Sequence, residues 1–211
     1  MSEVEYNGLK FKYRLNTTDY GIIKEACGGL NTRWFDVKAE EIWLDVGAHI
    51  GAFSIYAASK GATIVAYEPM PENYALLEEN IELNNFSKKI HAIKAGITKN
   101  GGIIDLYIDT VNYGNCSKFS HNNLPSIKIY TFPAIDFNII KKPYCMKIDT
   151  EGCEYEILSS INLENVKKVI FEYHYWLVEN PAEEWKKLSK LLLENFNEIK
   201  EEGGYMHYAW K

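Results

Sequence analysis

Asp45, Gly47, Ala48, His49 and Gly51 stand directly behind the apolar run Ile42-Trp43-Leu44, and Glu68-Pro69 stand behind a second one, Ile64-Val65-Ala66. Each run reads as a buried strand that ends in ligand-binding chemistry. Gly47 and Gly51 supply bare backbone where a tight turn brings a ligand close. The helix expected from Gly51 to about Lys60 points its unpaired N–H groups at that turn, a ready site for an anionic group. Glu68 follows roughly twenty residues after the loop, where an acid at a strand end accepts the two hydroxyls of a ribose. A dinucleotide loop places its second glycine where this chain has His49, so the spacing fits a pyrophosphate poorly and fits the amino-acid end of S-adenosylmethionine. The plainer alternative, two turn glycines between a strand and a helix with Asp45 as a capping residue, leaves Glu68 without a role.

A second cluster is Lys147-Ile148-Asp149-Thr150-Glu151-Gly152. Side chains repeat every second residue in a strand, so Lys147 and Asp149 share a face with Glu151 just beyond its end. A lysine in a buried strand needs an acid beside it, and Asp149 or Glu151 is the expected partner. The third cluster, Phe171-Glu172-Tyr173-His174, places a histidine at another strand end, where an imidazole can take a proton near neutral pH. Structural ion pairs and caps are the duller reading of both clusters. Asp, Glu and His converging on a cleft can also hold a divalent ion, but the spacing matches no recognised signature and no metal is assigned.

The elements that must position these residues alternate as apolar strands and amphipathic helices, the order of a parallel sheet with crossover helices. Tyr74, Leu77 and Ile81 share a helix face that ends at Asn84-Asn85, and a strand follows over about Lys89 to Ile97. Ile103 to Ile108 and Ile127 to Phe132 read as strands flanking Asp109 to Ser126, a polar connection long enough to be a substrate loop. Tyr144 to Ile148 and Val166 to Tyr173 read as buried strands, with a short helix from Glu154 between them. Asn180-Pro181-Ala182-Glu183 announces a capped helix to about Glu194, striped by Trp185, Leu188 and Leu192. Strands over about Phe196 to Lys200 and Tyr205 to Trp210 complete the pattern. Before residue 41, Leu9, Phe11 and Tyr13 alternate with basic residues as in a strand, and a short helix runs to Cys27. That segment, 1–40, is read as a cap over the cleft or a cover for a sheet edge, with the main domain at 41–211.

Composition narrows the class. With 46% hydrophobic and 25% charged residues, the chain is an ordinary globular one rather than disordered or fibrous. A net charge of -6 gives no general attraction for phosphate backbones, so nucleic acid is not the expected partner. Cys27, Cys116, Cys145 and Cys153 form no Cys-x-x-Cys pair and are expected to be reduced packing residues. No run is long enough to span a membrane and Met1-Ser2-Glu3 begins no signal peptide, so a cytoplasmic location is expected. Oligomeric state is not written in the sequence.

Taken in order, Asp45-Val46-Gly47-Ala48-His49-Ile50-Gly51, Tyr67-Glu68-Pro69, Gly102 to Tyr107, Lys147 to Gly152 and Phe171 to His174 resemble the FkbM family of S-adenosylmethionine-dependent methyltransferases, over about Ile42 to Trp176. The resemblance implies a Rossmann-like α/β fold with a seven-stranded, mostly parallel sheet, its last strand antiparallel and helices on both faces. It also implies methyl transfer to a hydroxyl of a sugar, glycolipid or natural-product-like small molecule. By position, Asp45, Gly47 and Gly51 form the cofactor loop with Ala48 and His49, Glu68 and Pro69 hold the ribose end, and Asp149, Glu151 and His174 line the reaction end. His49 departs from the family, which usually has Asn there. His174 or Asp149 is the expected base, with Lys147 setting the ionisation of the carboxylates. A methyltransferase acting on RNA and a catalytically silent cofactor-binding protein working through a partner are the alternatives.

Overall fold

The computed structural model describes residues 1–27, 37–109, 116–119, 124–142, 144–204 and 206–211. The chain opens with a hairpin, β1 (Ser2–Tyr6) and β2 (Leu9–Tyr13), and helix α1 (Asp19–Cys27). It continues through β3 (Ile42–Val46), α2 (Ala52–Ser59), β4 (Thr63–Tyr67), α3 (Pro71–Leu83) and β5 (Ile90–Ile93). Then come β6 (Gly96–Thr98), β7 (Gly102–Tyr107), β8 (Ser126–Pro133), β9 (Tyr144–Ile148) and α4 (Glu154–Leu158). The last elements are β10 (Val166–Glu172), α5 (Pro181–Asn195), β11 (Glu198–Glu202) and β12 (Met206–Trp210).

Seven strands form the main sheet in the order β11-β12-β10-β9-β3-β4-β5. All run the same way except the last strand, β12, which is antiparallel to both neighbours, as expected. Alternation within each strand divides the core between two faces. Trp43, Ile64, Cys145 and Ile170 pack with Ile55 of α2 and Leu77 of α3 on one face. Leu44, Met146, Val169 and Phe171 pack with Ile157 of α4 and Leu188 of α5 on the other. Every residue of β9 is buried, Lys147 included, so that cation must find its counter-charge inside the protein.

Three details differ from the expected pattern. The single strand over 89–97 is two: β5 stays in the main sheet, the chain turns at Lys94-Ala95, and β6 joins β7 and β8 in a second sheet. Gly96 permits the close pairing, since a Cβ there would sit 3.0 Å from Thr131 Cγ2. Asn180 precedes α5 without a side-chain capping bond, and Pro181 alone marks the start. The hairpin does not lie on an edge of the main sheet. It docks on α3, where Asn80 and Asn84 replace a strand partner: Asn80 Oδ1 accepts from Lys12 N at 2.6 Å and Asn84 Oδ1 from Lys10 N at 2.9 Å, and both amides donate back to the same two carbonyls. Residues four apart on a helix lie roughly 6 Å apart, close to the two-residue repeat of a strand, so one helix face can satisfy one strand edge.

Candidate functional site

Strand β3 ends in a loop whose geometry depends on Gly47. Its φ is +83°, and a Cβ there would come within 1.8 Å of the backbone oxygen of Asp149. Bare backbone is needed because the ends of β3 and β9 meet at this point, where Asp149 N donates to Val46 O at 2.9 Å. Gly47 N and Ala48 N both donate to Tyr67 O, which locks the loop to the end of β4. His49 has φ +53°, in the left-handed region where Asn, Asp and His are the side-chain-bearing residues most often found. The backbone conformation thus accounts for either Asn or His at this position. His49 N donates to Glu68 Oε2 at 2.7 Å, and Glu68 Oε1 accepts from Met70 N at 2.9 Å. Burial pushes the Glu68 carboxyl up to about 7 despite these bonds.

A cavity of about 620 Å³ opens along these strand ends. Gly47, Ala48, His49, Glu68 and Pro69 line it together with Lys147, Asp149, Glu151 and Glu172. Asp45 and Gly51 stand behind the wall. Asp45 is fully buried, accepts from Ser54 Oγ at 2.6 Å and faces Lys147 Nζ at 3.5 Å. Gly51 lets α2 close on α3, since a Cβ would meet Leu77 Cδ1 at 2.6 Å. Lys147 bridges Asp45 and Asp149, which is 3.4 Å away, and donates to Gly47 O. Burial works against its charge, but the two aspartates hold its ammonium above the ordinary lysine value. The expected Lys147–Asp149 pair is present, and Glu151 turns to His174 instead, at 3.3 Å.

His174 is 2% exposed. Its Nδ1 lies 3.1 Å from Glu154 Oε1, and its Nε2 faces Glu151, Asp149 at 3.8 Å and Glu172 at 3.9 Å. Burial alone would lower its pKa; hydrogen bonds and charges of Glu151 and Glu154 push it up to about 12. These bonds and charges favour the protonated ring. Burial raises Glu151, whereas Asp149 is held below the usual carboxylate range because the charges of Lys147 and His174 outweigh its burial.

The N-terminal segment brings residues that sequence reasoning did not single out. Helix α1 walls the cavity with Tyr20, Gly21 and Glu25, preceded by Thr17 and Thr18. Arg14 binds Asp19 through Nε and Nη2, both at 2.9 Å, and also reaches Asn73 Oδ1 at 2.8 Å and His49 Nε2 at 3.2 Å. Asn73 Nδ2 in turn lies 3.3 Å from Glu68 Oε1. The one sequence signal for this chain of contacts was His49, whose ring needs a partner once its backbone is committed to Glu68. Of the expected substrate loop, 110–115 and 120–123 lie outside the described residues, while Cys116 and Lys118 line the cavity.

Residues 45–205 match the Methyltransferase FkbM domain. The chain belongs to the FkbM methyltransferase family. Hexuronic acid methyltransferase AglP of Haloferax volcanii is 26% identical over 161 residues, 75% of this chain and 65% of that protein. Methyltransferase sdnD of Sordaria araneosa is 37% identical over 65 residues, 30% of this chain and 25% of that one. The chain thus spans less than two thirds of either relative's length. Among solved structures, the FkbM methyltransferase of Methylobacillus flagellatus superposes with a TM-score of 0.58 at 15% identity, over 90% of this chain and 48% of that one. The METTL16 methyltransferase domain gives 0.51 at 14% identity, over 97% and 89%. Both share the fold of this FkbM chain. No helix among the described residues is long and apolar enough to cross a membrane.

Proposed function

We propose that the protein is an S-adenosylmethionine-dependent O-methyltransferase whose acceptor is a hydroxyl of a sugar or related small molecule. The observation that carries the reading is one continuous cavity lined both by the glycine loop with Glu68 and by the Asp149–Glu151 pair. Its volume is that of a small-molecule site. The residues present fit the cofactor: Gly47 to His49 offer bare loop backbone, and Glu68 Oε2, which accepts from His49 N, keeps a lone pair for a ribose hydroxyl, while Oε1 accepts from Met70 N and Asn73 Nδ2. When bound, S-adenosylmethionine supplies an electrophilic sulfonium methyl group and departs as the neutral thioether.

The chain's own part is to hold the acceptor oxygen in line and remove its proton. Asp149 and Glu151 take that role, since both line the cavity and accept protons, while both His174 nitrogens are engaged by carboxylates. Lys147 and His174 position the two acids. A sugar acceptor is supported by the likeness to AglP, named for methylation of hexuronic acid. The carboxylates Asp149, Glu151 and Glu172 would repel a phosphate backbone, which argues against RNA. The test is incubation of the purified protein with methyl-labelled S-adenosylmethionine and cell extract fractionated into carbohydrate, lipid, RNA and protein. Label in the carbohydrate or small-molecule fraction is expected; label confined to RNA or protein overturns the acceptor class.

A further inference from the structure

Strands β9 and β10 pair in parallel with Ile148 opposite Phe171, so Asp149 and Glu172 emerge side by side where the two strands end. His174 follows two residues later and folds back beneath them. Its Nδ1 contacts Glu154 Oε1, an oxygen that also accepts from Thr150 N, Thr150 Oγ1 and Gly152 N. An oxygen that accepts from those donors accepts from the ring as well, so Nδ1 donates and Nε2 faces Glu151, Asp149 and Glu172. Three carboxylates from three positions surround that one nitrogen, at 3.3 Å for Glu151, 3.8 Å for Asp149 and 3.9 Å for Glu172. One N–H serves one of them, and the two longer separations lie beyond hydrogen-bond reach.

Those separations suit atoms that share an ion. With metal–ligand bonds of about 2.1 Å, two ligands of one ion lie about 3.0 Å apart at right angles and about 4.2 Å apart when opposite, so 3.8 and 3.9 Å correspond to wide ligand–metal–ligand angles. One ligand atom each from Asp149, Glu172 and His174 falls within 4.8 Å of the others. We propose that Asp149, Glu172 and His174 form a divalent-cation site where β9 and β10 end on the wall of the cavity. One imidazole with two carboxylates suits Mn2+. Glu154 is the outer partner that orients the ring through Nδ1, the arrangement usual for a metal-binding histidine, and binding of the ion releases the Nε2 proton. Asp149 contributes Oδ1, because Oδ2 is turned to Lys147. Asp149 and Glu172 line the cavity, so the open coordination positions face the acceptor.

The function of the ion rests on the O-methyl transfer proposed above; its binding does not. Beside the ion an acceptor hydroxyl becomes more acidic. Its O–H bond breaks, the proton passes to Glu151, and the electron pair left on oxygen forms the new bond to the methyl carbon as the carbon–sulfur bond breaks and its pair stays on sulfur.

The experiment is a titration of chelator-treated protein with MnCl2, following the electron paramagnetic resonance signal of free Mn2+, for the parent, Glu172→Gln and His174→Gln. Circular dichroism checks folding, and calorimetry with S-adenosylhomocysteine is run in parallel. One Mn2+ per chain is expected, bound at least about tenfold more weakly in both variants. If His174→Gln does not fold, Glu172→Gln decides the matter. Absence of uptake into the millimolar range, or equal affinity in parent and Glu172→Gln, overturns the site. Because the resonance readout needs neither cofactor nor acceptor, Mn2+ uptake without S-adenosylhomocysteine binding would support the site while refuting the methyltransferase reading.

Discussion

Lys147 Nζ donates a 2.6 Å hydrogen bond to the carbonyl oxygen of Gly47, one hundred residues earlier in the chain, and so ties the glycine loop to the acid-bearing end of β9. The same ammonium is the counter-charge of Asp45, which has no exposed surface. Lys147→Met should therefore strand a buried carboxylate and cost about 3 to 5 kcal/mol. Urea unfolding measures it; a midpoint equal to the parent's would show that Asp45 does not depend on Lys147.

Gly47→Ala places a Cβ 1.8 Å from the Asp149 backbone oxygen, and no side-chain rotation relieves a clash with backbone. A loss of about 2 to 4 kcal/mol is expected, with separation of the β3 and β9 ends. Thermal melting reads the stability, and calorimetry with S-adenosylhomocysteine reads the loop. Parent-like values in both would mean that the loop tolerates a side chain there.

Glu68 gives a pH dependence with a definite sign. Burial raises its carboxyl from 4.5 in the unfolded chain to about 7 in the folded one. Its contribution to stability is thus full below about pH 4.5 and is lost as pH rises through 7. Ribose hydroxyls donate to the ionised form, so cofactor binding should strengthen as pH rises through 7 and release a proton when measured below it. Calorimetry in buffers of different ionisation enthalpy detects that proton. Glu68→Ala should abolish the release and weaken binding at least about tenfold.

Asp149→Asn should lower turnover about a hundredfold to ten-thousandfold while leaving S-adenosylhomocysteine affinity near the parent's, because the side chain of Asp149 is turned to Lys147 and His174 and not to Glu68. Turnover with the acceptor fraction found above, set beside the calorimetric affinity, separates the two. Full activity would remove Asp149 from the mechanism.

Arg14→Ala leaves Asp19, which has no exposed surface, without its guanidinium. A cost of about 3 to 5 kcal/mol is expected, together with weaker cofactor binding as α1 loosens over the cavity. Burial favours the neutral form of Asp19, but the bonds from Arg14 hold its carboxyl below 3.8. The stability this pair confers is present above pH 3.8 and is lost as pH falls through the lower folded value. The variant should lack that acid-induced loss in a pH series of melts.

The sequence by itself determined the parallel α/β order, the glycine loop after Ile42–Val46, and the acids that follow β4 and β9. These features are local: strand burial, turn glycines and strand-end position are written in neighbouring residues, and parallel sheets put such ends on one side. Only the tertiary structure decided which of these residues face the cavity. Asp45 and Gly51 belong to the loop motif yet stand behind its wall, while Asn73 contacts Glu68 and is tied through Arg14 to Asp19, on elements that no local pattern links. The docking of β2 on Asn80 and Asn84, and the four carboxylates around His174, likewise depend on strand register and helix packing. Such contacts join residues far apart in the chain, and their chemistry exists only after hydrophobic packing has brought the elements together.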